Sequence, residues 1–248
     1  MTAKDLKVAF VTGAASGIGR ATAEAFIAHG YATVLADREV AAGERLQETL
    51  RRTGECSFIR CDVTDDSNVS AAIEQAVAIY GRIDAAFNAA GINGDAALLA
   101  DGTQDNWNRV IAVDLTGVWS CMRYEIRQML RNGGGAIVNC ASTAGLVAAE
   151  QLAPYVAAKH GVVGLTKAAS LEYIRHGIRV NAVCPGMINT PMFDSIPPDV
   201  AQALVASSPI GRFGTPAEIA AAVLWLCDES ASFVTGHALV ADGGWTAR

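Results

Sequence analysis

Lys7-Val8-Ala9-Phe10-Val11-Thr12-Gly13-Ala14-Ala15-Ser16-Gly17-Ile18-Gly19 is the stretch from which the rest of the chain can be read. Residues 7–12 are an apolar run of strand length. From Gly17 to Gly30 apolar residues recur at helical spacing (Ile18, Ala21, Ala25, Phe26), so the glycines stand at a strand-to-helix junction. Gly13 permits a tight turn there, while Gly17 and Gly19 have no side chain to hold an anion away from the N–H groups that open the helix. The spacing Gly-x-x-x-Gly-x-Gly differs from the common dinucleotide pattern Gly-x-Gly-x-x-Gly, so the turn alone supports a nucleotide site only loosely.

Thr33-Val34-Leu35-Ala36 reads as a second apolar strand with Asp37 at its C-terminal end, where a carboxylate accepts hydrogen bonds from an adenosine ribose. A 2′-phosphate about 4 Å from that carboxylate meets repulsion of up to ~4 kcal/mol per unit charge at an effective dielectric near 20. The expected cofactor is therefore NAD and not NADP. Arg38 follows directly and is the one basic group positioned to argue the other way. The alternative reading of Asp37 is a cap on the following helix.

The second decisive stretch is Tyr155-Val156-Ala157-Ala158-Lys159, with Ser142 thirteen residues before the tyrosine. Residues four apart share a helix face, so the Lys159 ammonium can lie beside the Tyr155 phenol. A free phenol titrates near ~10 and a neighbouring cation lowers that value, which makes Tyr155 the candidate acid/base. The chain holds five tyrosines in 248 residues, and the Tyr-x-x-x-Lys spacing would arise by chance about 0.08 times, so the motif matters chiefly through its partnership with the N-terminal turn. Ser142 alone reads as a turn serine after a strand over 136–140; beside Tyr155 it becomes a donor to an oxyanion.

Together these residues resemble the short-chain dehydrogenase/reductase family, and the resemblance runs along nearly the whole chain. Asn88-Ala89-Ala90-Gly91 is similar to its Asn-Ala-Gly motif, Asp62-Val63 to its adenine-contacting pair, and Pro185-Gly186 with Ile188 and Thr190 to the segment that holds the nicotinamide carboxamide. Asp242-Gly243-Gly244 also fits. The resemblance implies a three-layer Rossmann fold: a doubly wound parallel sheet of about seven strands with helices on both faces, forming one domain over 1–248. It implies an NAD-dependent oxidoreductase in which Tyr155 exchanges the proton, Ser142 binds the substrate oxygen, and Lys159 also holds the nicotinamide ribose. With Tyr155 and Lys159, the residues Gly13, Ser16, Gly17, Ile18, Gly19, Asp37, Asp62, Val63, Asn88, Ala89, Gly91, Pro185, Gly186, Ile188 and Thr190 make up the implied coenzyme site. A homotetramer packed through the helices around 105–131 and 155–176 is implied as well.

Asp114 departs from the pattern, since the family usually has Asn there. The implied catalytic role is largely that of a main-chain carbonyl holding a water that leads to Lys159, which Asp supplies equally. An ionised carboxylate near Lys159 would hold the lysine proton more tightly, weaken its effect on the phenol, and move the pH optimum upward.

Composition is consistent with a large buried core: 51% of the residues are hydrophobic and 18% charged. A formal charge of −6 without a dense Lys/Arg run argues against nucleic acid or an anionic membrane as partner. The expected compartment is cytoplasmic, there being no signal-like N-terminal pattern or apolar run of bilayer length. Cys56, Cys61, Cys121, Cys140, Cys184 and Cys227 form no Cys-x-x-Cys pair and are expected to be reduced, four scattered histidines offer no metal site, and His160 is expected to pack within its helix.

Three segments, 92–108, 143–158 and 187–211, are expected to surround the nicotinamide. None contains Lys or Arg. A small, neutral, mostly apolar alcohol or ketone is thus the expected substrate, with Ile92, Val147, Leu152, Met187, Met192 and Phe193 as candidate walls. The proline-rich stretch 190–209 suggests that 187–211 is a mobile lid. Two alternatives are a 3-oxoacyl-(acyl carrier protein) reductase using NADPH, which sits poorly with Asp37, and a catalytically silent nucleotide-binding protein, which sits poorly with the complete Ser142, Tyr155, Lys159 set.

Overall fold

Strand β1 (Val8–Thr12) is buried along its whole length, and its alternate side chains enter two different cores: Val8 and Phe10 on one face, Ala9 and Val11 on the other. A strand apolar on both faces belongs inside a parallel sheet covered by helices on each side. In the computed structural model, which describes residues 6–194 and 197–247, that is its position. The chain alternates β1, α1 (Gly17–Ala28), β2 (Ala32–Asp37), α2 (Val40–Leu50), β3 (Cys56–Arg60), α3 (Asp66–Tyr80) and β4 (Ala85–Asn88). It continues through α4 (Gln104–Ile111), a π-helical turn (Ala112–Gly117), α5 (Val118–Asn132), β5 (Gly135–Cys140), α6 (Ala153–Tyr173), β6 (Ile178–Pro185), α7 (Pro198–Ser207), α8 (Pro216–Cys227) and β7 (Ala238–Ala241).

The seven strands are parallel in the order β3-β2-β1-β4-β5-β6-β7. The chain winds outward from β1 to β3, then returns to start β4 on the opposite side of β1. That reversal opens a crevice at the C-terminal ends of β1 and β4. Phe26, Ile27, Leu46, Ile219, Val223 and Leu226 bring α1, α2 and α8 onto one face; Val69, Ile73, Cys121, Ile126, Met129 and Val162 bring α3, α5 and α6 onto the other. Burial of each large side chain contributes about 1.5–3 kcal/mol.

Local signals set the element ends. Asp65 caps α3 by accepting from the N–H groups of Ser67 and Asn68, and Gly81 ends that helix in the left-handed conformation (φ 84°). Thr215 and Glu218 form a reciprocal capping box on α8. Within the proline-rich stretch 190–209, Pro191–Phe193 form a single 3₁₀ turn and α7 follows. Pro198 in the first turn suits a helix start, and Ala-Gln-Ala-Leu-Val-Ala are helix formers. Residues 195–196 of the expected lid, and 1–5 and 248 of the expected domain, lie outside the described residues. No helix among the described residues is long and apolar enough to cross a membrane.

Candidate active site

The glycine turn joins β1 to α1 so tightly that little but glycine fits. Gly13 has φ 63°, and a Cβ there would lie 2.9 Å from the Ala90 backbone; a Cβ on Gly19 would run into the Gly13 carbonyl. Ser16 occupies the N-cap of α1 but makes no side-chain cap bond, and the first turn holds no acidic residue. The opening amides are thus left for an external anion, which fits a dinucleotide pyrophosphate. Thr12 Oγ1 accepts from the N–H groups of Ala89 (3.1 Å) and Ala90 (3.3 Å), fastening the loop after β4 to the turn.

Asp37, at the end of β2, has both carboxylate oxygens engaged by backbone: Ala15 N–H donates to Oδ2 at 2.9 Å and Glu39 N–H to Oδ1 at 3.0 Å. Arg38 turns to Glu39, 3.2 Å away. Asp62 accepts from Thr64 N–H at 3.0 Å and Thr64 Oγ1 at 2.7 Å, and this hydrogen bonding holds its carboxyl below the usual range.

A cavity of about 670 Å³ runs along the C-terminal ends of the strands. Its walls include Gly13, Ser16, Gly17, Ile18, Asp37, Asp62, Val63, Ala89 and Gly91 from the β1–β4 side, then Asp114, Ser142, Tyr155, Lys159, Pro185, Gly186, Ile188 and Thr190. Two expected coenzyme residues do not line it. Gly19 is packed beneath the turn, and the buried Asn88 points its side chain under the sheet, donating to Glu125 Oε2 and Asn139 Oδ1, each at 3.0 Å. Of the expected apolar walls, Ile92, Leu152, Met187, Met192 and Phe193 line the cavity, whereas Val147 does not. Ala149, Leu204 and Trp245 do, and were not anticipated.

At the seam, Lys159 Nζ donates to the Cys140 carbonyl at 2.9 Å, lies 3.3 Å from Asp114 Oδ2, and sits 5.4 Å from the centre of the Tyr155 ring. Lys159 and Asp114 are both buried, and Asp114 Oδ1 accepts from Ile92 N–H at 2.9 Å. Ser142 accepts from Ala144 N–H at 3.1 Å and hydrogen-bonds Tyr155 in the sense that favours the phenolate.

The lowered phenol expected from the Tyr155–Lys159 pairing is not what the folded chain alone produces. Burial pushes the Tyr155 hydroxyl above its ordinary value; Lys159 and Ser142 pull it down, while Asp114 pushes it up. Burial pulls Lys159 down, but Asp114, Tyr155 and Cys140 together hold it above its ordinary value. The Asp114 carboxyl is raised by burial against the opposing pull of Lys159 and Ile92 N–H. A sequence motif displays the neighbouring cation but neither the desolvation nor the second charge.

Beneath this site lies a polar network that the motifs enter through Asn88. Asn139 Nδ2 donates to Thr166 Oγ1 at 2.9 Å, and the fully buried Glu125 has one oxygen, Oε1, without a hydrogen-bond partner. Burial lifts the Glu125 carboxyl to about 8. The six cysteines are free, with Cys140 and Cys227 partly exposed and the others buried. His160, expected to pack, is exposed and bonds the Val156 carbonyl in its own helix. No cluster of His, Cys, Asp and Glu suited to a metal occurs among the described residues.

A family model described as enoyl-(acyl carrier protein) reductase matches residues 13–246. The chain is 42% identical over 243 residues to the cyclohexanol dehydrogenase of Acinetobacter sp. (strain SE19), covering 98% of this chain and 96% of that protein. It is 44% identical over 243 residues to the cis-4-hydroxycyclohexanecarboxylate dehydrogenase of Sinomonas cyclohexanicum, covering 97% of each. The crystal structure of levodione reductase superposes with a TM-score of 0.94 at 35% identity, covering 97% of this chain and 98% of that one. A glycine turn at the β1–β4 crevice, a Ser-Tyr-Lys seam in the same cleft and these likenesses along almost the full length lead to one assignment: the chain belongs to the short-chain dehydrogenase/reductase family of nicotinamide-dependent oxidoreductases.

Proposed function

We propose that the protein moves hydride between NAD(H) and a neutral secondary alcohol or ketone carried on an apolar, alicyclic ring. The observation that carries this reading is one continuous cavity in which the glycine turn and Asp37 lead to Ser142, Tyr155 and Lys159 and then to an uncharged wall. When bound, the nicotinamide supplies the hydride acceptor or donor, and its oxidised ring adds positive charge beside the phenol. Tyr155 takes the hydroxyl proton as the alcohol is oxidised and returns it on reduction. Ser142 hydrogen-bonds the substrate oxygen, and Lys159 favours the phenolate. Because burial outweighs Lys159 in the chain itself, the phenol is largely protonated near neutrality. Oxidation therefore strengthens as pH rises, and ketone reduction finds its proton donor already in place.

NAD is supported by the Asp37 carboxylate, pinned by two backbone N–H groups at the cleft, and by Arg38 being turned to Glu39. A neutral ring is supported by the cavity lining, whose cations are Arg38 at the Asp37 end and Lys159 at the seam. A substrate carboxylate of the kind named for the Sinomonas relative would meet no basic partner along the Ile92, Leu152, Met187 and Phe193 wall. We also infer a single catalytic domain with 187–211 as the substrate lid. A homotetramer packed through α4, α5 and α6 is supported by the exposed Trp107, Trp119 and Leu171 on those helices.

The test is a panel of alicyclic, aliphatic and 3-hydroxyacyl-thioester alcohols, some carrying a carboxylate, followed by nicotinamide absorbance with NAD and with NADP. Reduction of NAD by neutral ring alcohols is the expected result. A preference for NADP, or activity confined to thioesters, would transfer the assignment to the acyl reductase alternative.

A further inference from the structure

Asp114 sits in the π-helical turn that interrupts the rod from α4 to α5, an irregularity that often re-aims a side chain at a functional site. Its carboxylate joins two parts of the cleft. Oδ1 takes the Ile92 N–H at 2.9 Å and so holds the loop after β4, while Oδ2 lies 3.3 Å from Lys159 Nζ. The two side chains of this pair are 0% and 4% exposed, so neither solvent nor salt screens their attraction.

We propose that Asp114 is a positioning residue for Lys159: it holds the ammonium against the floor of the cleft, offsets part of its charge, and thereby moves the working range of Tyr155 to more alkaline pH. The kinetic part of this proposal rests on the hydride-transfer reading above; the electrostatic part stands without it.

The titratable groups that face the pair come from every element packed on it. Tyr155 and Lys159 lie on α6, Cys140 at the end of β5, and Cys184 in β6. Burial raises the Cys140 thiol, and Cys184 is pushed up to about 11, so both are neutral around neutral pH. Lys159 and Asp114 are then the charges that act on the phenol there, in opposite directions. Neutralising Asp114 leaves the cation unopposed.

Asp114→Asn keeps the shape and the acceptor for Ile92 N–H; Asp114→Ser is a second charge-free variant that retains an acceptor oxygen. Tyrosinate absorbance is titrated in the absence of coenzyme, with the curve of Tyr155→Phe subtracted to isolate Tyr155. The expected result is a midpoint lower by about one pH unit in both variants. The acid limb of the kcat/KM profile for alcohol oxidation should fall by the same amount, with the alkaline plateau retained within about tenfold. Midpoints that stay within about 0.3 unit overturn the proposal. So does loss of the alkaline plateau, which would make the carboxylate itself a reacting group, and so does failure of both variants to fold, which would make it a folding group. A shifted tyrosinate midpoint in a chain that reduces no nicotinamide with any alcohol would retain the coupling and remove the proposed function.

Discussion

The two halves of the cleft are built from different materials. On the β1–β4 side the contacts are backbone or are pinned by backbone: Asp37 by two N–H groups, Ala89 and Ala90 by Thr12, Gly13 and Gly19 by the approach of neighbouring main chain. On the substrate side the walls are apolar side chains on loops and short helices. Phe193 leans on Phe213 with ring centres 5.8 Å apart, and Gln151, at φ 64°, presents its carbonyl to Ala97 N–H at 3.0 Å to join two of the loops. Where main chain packs on main chain, as at Gly13 and Gly19, a side chain has no room. The coenzyme half thus admits few sequences, while the substrate half can be retuned one side chain at a time.

The largest effect is expected at the seam between the halves. Tyr155→Phe should lower kcat by about 10³-fold or more while NAD still binds in a fluorescence titration, because the coenzyme half loses none of its contacts. Preserved turnover would show that the halves meet elsewhere.

Asp37→Ser tests the rigid half. The ratio of kcat/KM with NAD to that with NADP should fall by about 10²-fold, given repulsion of up to ~4 kcal/mol at the wild-type carboxylate. An unchanged ratio would mean that the 2′-position faces some other residue.

Glu125 tests the polar layer beneath that half. Its carboxyl titrates at about 8 in the fold against an ordinary 4.5, so its contribution is fully present below about 4.5 and is lost as pH rises through about 8. At pH ~7 the cost is of order 3 kcal/mol as an upper bound. Glu125→Gln keeps an acceptor for Asn88 and should raise the melting temperature by several degrees at pH ~8, with little change at pH ~5. Equal shifts at both values would contradict a titrating carboxyl.

The smallest change is expected in the adaptable half. Leu152→Ala should raise KM for a neutral ring alcohol by about tenfold and leave KM for NAD within about twofold. A matching rise for NAD would erase the distinction between the halves.

Much of this was legible in the chain before folding. The residue 7–19 stretch reads as strand, turn and helix because apolar periodicity and glycine spacing are local properties, and β1 with α1 lie where that reading puts them. Ordered motifs also brought Asp37, Asp62, Ser142, Tyr155 and Lys159 to one cavity. The substrate side was legible in chemistry but not in detail. Trp245 and Leu204 come from segments distant in sequence, and nothing local shows which apolar side chains face the cavity. Asn88 was expected at the coenzyme, yet its side chain serves the layer below the cleft.

Covalent order and hydrophobic period are short-range, so the sequence by itself determined the strand-helix alternation, the glycine turn and the Tyr-Lys helix face. Tertiary structure decided the electrostatics, because an ionisable group responds to burial and to charges brought near from other parts of the chain. Tyr155 acquires a raised phenol when the fold buries it, and Asp114, forty-one residues away in the chain, adds to that rise. Glu125 becomes a neutral acid only when α5 closes over the sheet.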